Sequence, residues 1–273
     1  MAQAVLQPQR NRLKEARIHM VAITATPGMR EAVVYFLAVV VAEVVTCIIQ
    51  PLWGMVCHVI VLVVVIVHSA LASDDRLRRL VLSLALLPLV RIMSLSMPLA
   101  NIAQMWWYPI IYTPLLVAAV VVVRILGWSL KDIGLNFRLF SVQLVIALSG
   151  FVIGAAEYLI LKTEPMVIEL TWQEIWLPAL ILLGSTGFVE EFIFRGVLQR
   201  TTMEVFGWWG IVYVSLLFAI MHMGYLSWID VAFVFVVALF FGWVVKKTGS
   251  LFGAILSHGI ANIVLYLVAP FFF

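Results

Sequence analysis

The sequence predicts an all-α fold, a polytopic transmembrane helix bundle of about eight or nine spans, from three observations. Of the 273 residues, 64% are hydrophobic and only 11% are charged, whereas a soluble domain is about half apolar and about a quarter charged. Apolar runs long enough to cross a bilayer recur along the chain, and basic residues gather in alternate connections between them. We therefore expect the lipid bilayer to surround most of the chain.

Nine apolar segments are candidate spans. Each is expected to be helical, because a backbone in lipid must satisfy its own hydrogen bonds. The segments are approximately 32–49, 52–72, 80–98, 108–126, 141–161, 175–199, 208–224, 228–245 and 250–269. The third is the weakest because Pro88, Arg91 and Pro98 interrupt it, and the seventh is short.

The Lys and Arg residues support this layout. With a cytoplasmic N-terminus, 15 of the 17 Lys and Arg lie at cytoplasmic helix ends. These are Arg10, Arg12, Lys14, Arg17, Arg30, Arg76, Arg78, Arg79, Arg124, Lys131, Arg138, Arg195, Arg200, Lys246 and Lys247. The positive-inside rule therefore supports nine spans, with the N-terminus in the cytoplasm and the C-terminus outside. We expect a multi-pass protein of the cell membrane. No basic cluster with interleaved aromatic residues is present, so no nucleic-acid partner is expected.

Three regions follow from this layout. Residues 1–31 are polar and basic and lack the apolar core of a signal peptide, so they are predicted to form a cytoplasmic tail. Residues 32–161 form the N-terminal transmembrane helices. The polar stretch 162–174 separates them from residues 175–269, which contain nearly all the polar chemistry within the spans.

The sixth span contains two adjacent carboxylates, Glu190 and Glu191. Ionisable groups inside a membrane cost at least ~2.5–3.5 kcal/mol each on insertion scales, so they are candidates for function. Glu191 and Arg195 are four residues apart and share a helix face, which predicts an ion pair. Glu190 points elsewhere and has no neutralising partner on its own helix. It is therefore the candidate general base or acid, although two carboxylates that only hold helices together are a simpler alternative.

Two histidines and an asparagine lie in later spans. The seventh span ends at His222, and His258 and Asn262 share one face of the ninth. Helix rise places these side chains at depths similar to that of Glu190. We expect one intramembrane site that opens towards the cytoplasm. A carboxylate with a histidine could deprotonate water, while a second histidine and an amide could stabilise an oxyanion.

Three patterns carry a family resemblance: Glu190-Glu191-x-x-x-Arg195, Phe218-x-x-x-His222 and His258-x-x-x-Asn262. Together they resemble the motifs of the CPBP family, which comprises type II CAAX prenyl endopeptidases and bacteriocin-processing and immunity proteins. The resemblance covers about residues 175–268. It implies an intramembrane endopeptidase core and a membrane-embedded or lipidated peptide substrate. It also implies that Glu190 and His222 activate water, that His258 and Asn262 bind the oxyanion, and that Glu191 and Arg195 support them.

Cofactor use stays open between two interpretations. The metal-free interpretation is preferred, but Glu190, His222 and His258 could instead bind a divalent metal such as zinc. The segment Gly184-Ser185-Thr186-Gly187 faintly resembles a serine motif of rhomboid proteases, although its small residues are more typical of close helix packing.

Two other functions compete with proteolysis. Polar residues also lie in the first five spans: Glu43, His58, His68, Arg91 and Glu157. They could line the path of a transporter with a carboxylate relay, or pair with neighbours and hold the bundle together. No internal repeat typical of transporters is visible. A non-catalytic membrane scaffold with the same fold is the other alternative.

Overall fold

The computed structural model describes residues 28–97 and 101–273, and these residues form an all-α bundle. Nine helices, α1–α9, follow one another along the described chain. They are Met29–Ile49, Pro51–Leu71, Asp75–Ser96, Gln104–Ile125, Phe140–Leu161, Trp172–Phe206, Trp209–Tyr225, Trp228–Thr248 and Phe252–Phe271. Eight are long and apolar enough to span a membrane, and only α7 is shorter. The predicted fold class is confirmed, and the doubtful third segment is a helix.

Local sequence explains several helix boundaries. Pro51 occupies the first turn of α2, where its missing N–H is not needed. Asp74 caps α3 by accepting a hydrogen bond from the Leu77 N–H at 2.8 Å. Gly207, with φ 57°, separates α6 from α7, and Gly249, with φ 70°, ends α8. Both glycines adopt backbone angles that a side chain would oppose.

Large apolar side chains cover much of the outer surface. On α1, Val34, Leu37 and Val41 are each more than half exposed, and Val152 on α5 is 73% exposed. A soluble protein rarely presents so large an apolar surface to water. The exposed side chains therefore fit a multi-pass integral membrane protein, with lipid around the bundle.

The helix ends form two groups, which we call the basic end and the opposite end. The basic end comprises residues 28–31, 72–79, 124–139, 199–208 and 246–251. Contacts join its parts: Arg79 pairs with Glu204 at 2.9 Å, and the Asn136 amide donates to the Gly249 carbonyl at 2.8 Å. The opposite end comprises residues 45–52, 101–104, 161–172, 223–228 and 266–271. Here the Met166 N–H donates to the Tyr266 carbonyl at 3.0 Å.

The structure changes the predicted position of Arg195 and shortens the predicted N-terminal tail. Arg195 was assigned to a cytoplasmic helix end, but it is buried, because α6 continues through 35 residues to Phe206. Residues 1–27 of the predicted basic tail lie outside the described part of the chain, and α1 already begins at Met29.

Candidate active site

A close crossing of α6 and α9 brings the predicted motifs together. A Cβ atom added to Gly187 would lie 2.8 Å from the Ile255 carbonyl oxygen, and one added to Gly259 would lie 3.1 Å from Leu183 Cα. Only glycine permits this approach of the two backbones. The crossing therefore sets Glu190 and Glu191 beside His258. Close packing, rather than a serine motif, accounts for Gly187.

The backbone of α6 is unusual at this crossing. Leu183–Glu190 and Phe192–Leu198 have the wider hydrogen-bond pattern of a π-helix. Single π-helical turns are frequent at functional sites. Here they coincide with the segment that contains both candidate carboxylates.

Glu191 is fully buried and contacts the Arg195 guanidinium and the His258 imidazole. Its Oε1 accepts from Arg195 Nη1 at 2.8 Å, which confirms the predicted ion pair. The same Oε1 lies 2.8 Å from His258 Nδ1. Because the carboxylate accepts, Nδ1 carries a proton and Nε2 is the nitrogen left for chemistry. Glu191 thus orients His258 as well as neutralising Arg195.

Glu190 is only partly buried. The Tyr112 hydroxyl on α4 donates to its Oε1, and His258 Nε2 lies 3.7 Å from its Oε2. No Lys or Arg pairs with Glu190 in the described residues. Its carboxylate is therefore held by a neutral hydroxyl and faces a histidine.

His222 lies near the end of α7, and one of its ring nitrogens is fixed by a hydrogen bond. Its Nδ1 lies 2.8 Å from the Phe218 carbonyl. A carbonyl can only accept, so Nδ1 donates and Nε2 presents its lone pair. The Phe218 ring also covers the Arg195 guanidinium at 4.5 Å from the ring centroid. This packing gives a physical reason for Phe218 in the second motif.

Asn262 is oriented by a residue that the motifs did not predict. Its Nδ2 donates to Thr186 Oγ1 at 2.7 Å. Thr186 Oγ1 in turn donates to the Leu182 carbonyl at 2.7 Å. Thr186 therefore fixes one amide N–H of Asn262. The second N–H of the same amide does not take part in this bond to Thr186.

One cavity of about 640 Å³ joins the four predicted catalytic residues. Glu190, His222, His258 and Asn262 all line it, together with Thr186 and Tyr112. Glu191 and Arg195 lie behind this lining. The structure thus separates the six predicted residues into four at the cavity and two that support them from behind.

The cavity opens at the opposite end of the bundle from the basic residues. It reaches Gln104, Thr163 and Glu164 at the opposite end of the bundle, and no residue of the basic end lines it. The cavity therefore reaches the end of the bundle with few basic residues, and the expected opening towards the cytoplasm stays a prediction. Glu190, His222, His258 and Asn262 do line one cavity between the helices, but helix rise alone carries no information on which side is open.

The N-terminal helices also contribute to this region. Arg91 on α3 donates from Nε and Nη2 to the two oxygens of Glu43 at 2.8 and 2.6 Å. Its Nη2 also donates to the Met221 carbonyl, next to His222, at 2.6 Å. His58 Nε2 lies 3.2 Å from Glu43. We call Glu43, His58 and Arg91 the buried clamp.

The remaining polar residues of the first five predicted spans lie in different parts of the bundle. The Tyr35 hydroxyl lies 2.7 Å from His68 Nδ1, far from the cavity lining. Glu157 on α5 lines the cavity. Most of these groups thus pair with neighbours. Tyr112 and the clamp could not be assigned to the site from the sequence, because their only signal was a polar residue in an apolar span.

The two histidines suit a metal ion chemically, but the candidate ligands are not close enough together to hold one. His222 and His258 each fix Nδ1 on an acceptor and leave Nε2 available, as metal-binding histidines do. However, the described residues contain no group of three His, Cys, Asp or Glu side chains placed to hold a metal ion. Glu190, His222 and His258 are thus not arranged as a ready set of ligands.

Comparison with known proteins found one similarity, and it lies in the C-terminal part of the chain. No curated protein and no solved structure matches this chain. The family model of the Rce1-like type II CAAX prenyl endopeptidases matches residues 171–264. This segment runs from the residue before α6 into α9 and includes all six predicted site residues. The match agrees with the resemblance that the three motifs predicted: residues 171–264, about a third of the chain, are similar to the Rce1-like type II CAAX prenyl endopeptidases.

Proposed function

We propose that this protein is an intramembrane endopeptidase that hydrolyses a peptide bond of a membrane-embedded or lipidated peptide or protein. The observation that carries the proposal is the convergence of Glu190, His222, His258 and Asn262 on one cavity. The family match supports a protease of the CAAX type in general. The catalytic roles below rest on the geometry of the side chains.

Glu190 is the proposed general base. It lacks a Lys or Arg partner in the described residues, and it lines the cavity. A water between Glu190 and His222 Nε2 would lose a proton to the carboxylate and attack the substrate carbonyl carbon. The resulting tetrahedral intermediate breaks its C–N bond. Protonated Glu190 returns the proton to the leaving amine, so that the products are a carboxylic acid and an amine.

His258 and Asn262 are the proposed oxyanion partners. Asn262 offers its second amide N–H, because Thr186 already accepts one. His258 donates from Nε2 only as the doubly protonated imidazolium, since its Nδ1–H is committed to Glu191. Glu190 Oε2, 3.7 Å away, faces that second proton. Donors fixed before reaction stabilise developing negative charge without reorganisation.

The proposed reaction contains no metal step. Glu191 and the Phe218 carbonyl hold the two histidines in defined orientations without an ion. A zinc ion bound there would supply Lewis-acid activation of water. The two mechanisms predict different responses to chelation.

The first experiment asks whether hydrolysis occurs. Purified protein in liposomes would be incubated with two probes, a membrane-spanning peptide and a farnesylated peptide, and products would be read by mass spectrometry. We expect one defined cleavage, unaffected by chelators in a preparation without stoichiometric metal. Activity lost on stripping and restored by zinc would replace the metal-free mechanism. Absence of cleavage of any membrane-tethered peptide would favour the non-catalytic scaffold, and ion flux in the same liposomes would favour a transporter.

A further inference from the structure

The Lys and Arg residues are distributed very unequally between the two ends of the bundle. Ten of the chain's Lys and Arg lie at the basic end, and four more precede α1 in the sequence. The ten are Arg30, Arg76, Arg78, Arg79, Arg124, Lys131, Arg138, Arg200, Lys246 and Lys247. The opposite end has only Lys162, and Arg91 and Arg195 are within the spans. An asymmetry this large in short connections sets the orientation of a membrane protein, with the basic end in the cytoplasm.

The cavity lies in the other half of the bundle. Its lining begins near the middle of the helices, at Phe241 on α8 and Ile193 on α6, and continues to Gln104, Thr163 and Glu164. Phe241 is seven residues before the end of α8, or about 10 Å of helix from the basic end. Packed side chains such as Leu198 and Leu251, both fully buried, fill the bundle between the cavity and that end.

We propose that the active-site cavity opens on the extracytoplasmic side of the membrane, and that its substrate presents the scissile bond from that side. This inference rests on the proposed function. It names the substrate class as a peptide or protein anchored in the bilayer with its cleaved segment in the outer half. A protein prenylated in the cytoplasm would approach the closed, basic end and would not be cleaved.

Cysteine labelling in intact cells tests the sidedness without any need for activity. Cys47 and Cys57 would first be replaced by alanine. Two exposed reporters are then introduced separately, Glu164→Cys at the cavity mouth and Lys131→Cys at the basic end. A membrane-impermeant maleimide should label Glu164→Cys in intact cells and Lys131→Cys only after permeabilisation. Glu169→Cys, exposed on the same connection as Glu164, is the second reporter for the mouth.

Labelling of Lys131→Cys in intact cells overturns the proposal. So does protection of both Glu164→Cys and Glu169→Cys until the membrane is permeabilised. A bulky impermeant maleimide on Glu164→Cys should also reduce cleavage of the membrane-spanning probe at least tenfold, while the same modification of Lys131→Cys in permeabilised cells should not. If wild-type protein hydrolyses nothing, the labelling still decides the sidedness, so that failure of the orientation and failure of the protease function are distinguished.

Discussion

His258 Nδ1 and Arg195 Nη1 both lie 2.8 Å from a single oxygen, Oε1 of Glu191. This shared acceptor links the first and third motifs inside the bundle, where Glu191 is fully buried. Without it, the Arg195 charge would be stranded and the His258 ring could rotate. Glu191 therefore determines which nitrogen of His258 is available to the cavity.

Replacing Glu191 should damage both folding and activity. In Glu191→Gln, Arg195 becomes a buried cation without a counter-charge, which typically costs about 3–5 kcal/mol. We expect a lower thermal midpoint in detergent together with loss of peptide cleavage. Glu190→Gln is the matched control, because Glu190 has no Lys or Arg partner in the described residues and its replacement should leave the midpoint nearly unchanged. Equal thermal midpoints for the two variants would contradict the supporting role of Glu191.

The α6–α9 crossing can be tested with two glycines on one segment. In Gly187→Ala the new methyl would lie 2.8 Å from the Ile255 carbonyl oxygen, so the helices must separate. A shift of about 1 Å in a catalytic pair can lower the rate about 10²-fold. Gly184→Ala is the control, since nothing lies within 4 Å of its added methyl. We expect a large fall in kcat and in thermal midpoint for the first variant and little change for the second.

The oxyanion assignment predicts a specific kinetic effect at Asn262. Asn262→Ala should lower kcat about 10²–10³-fold with little change in KM, as expected for loss of one oxyanion donor. Thr186→Val removes the hydroxyl that orients the amide and should produce a smaller fall of the same kind. Ser185→Ala is the control, because the Ser185 hydroxyl bonds to the Ile181 carbonyl instead. A rise in KM alone would assign Asn262 to substrate binding.

The buried clamp predicts that the N-terminal helices position His222. Arg91→Met leaves Glu43 with His58 as its remaining neighbour and frees the Met221 carbonyl, so we expect losses of both stability and kcat. The double variant Glu43→Met/Arg91→Met removes both charges, and such replacements often restore stability. Its kcat should nevertheless stay low, because the bond to Met221 is still absent. Recovery of kcat along with stability would reduce the clamp to a structural ion pair.

The sequence predicted the features that depend on composition and helix periodicity. Nine helices, the Glu191–Arg195 pair and the shared face of His258 and Asn262 all follow from spacing along one chain segment. Contacts between distant helices carry no such signal. The bonds from Tyr112 to Glu190 and from Arg91 to Met221 join residues 78 and 130 positions apart. Only the packing of α3 and α4 against α6 and α7 makes them.

The sequence showed Thr186 within a run of small residues, but it did not show that Thr186 binds Asn262. Its small neighbours suggested close packing, and Gly187 does pack against α9. Thr186, however, lies in the π-helical stretch Leu183–Glu190 and accepts a hydrogen bond from Asn262. The end of the bundle that the cavity reaches could not be predicted for a related reason, since depth along a helix does not reveal which half of the bundle is filled by packed side chains.

The most direct test of the central claim is the turnover of one membrane peptide by wild-type protein and by folded Glu190→Gln. The proposed mechanism makes Glu190 the group that takes the proton from water, and a general base typically contributes about 10²–10⁴-fold to the rate. We predict a loss of kcat in that range, with an unchanged thermal midpoint and unchanged peptide binding. Turnover by Glu190→Gln within a few-fold of wild type would contradict the assignment of Glu190 and, with it, the proposed mechanism.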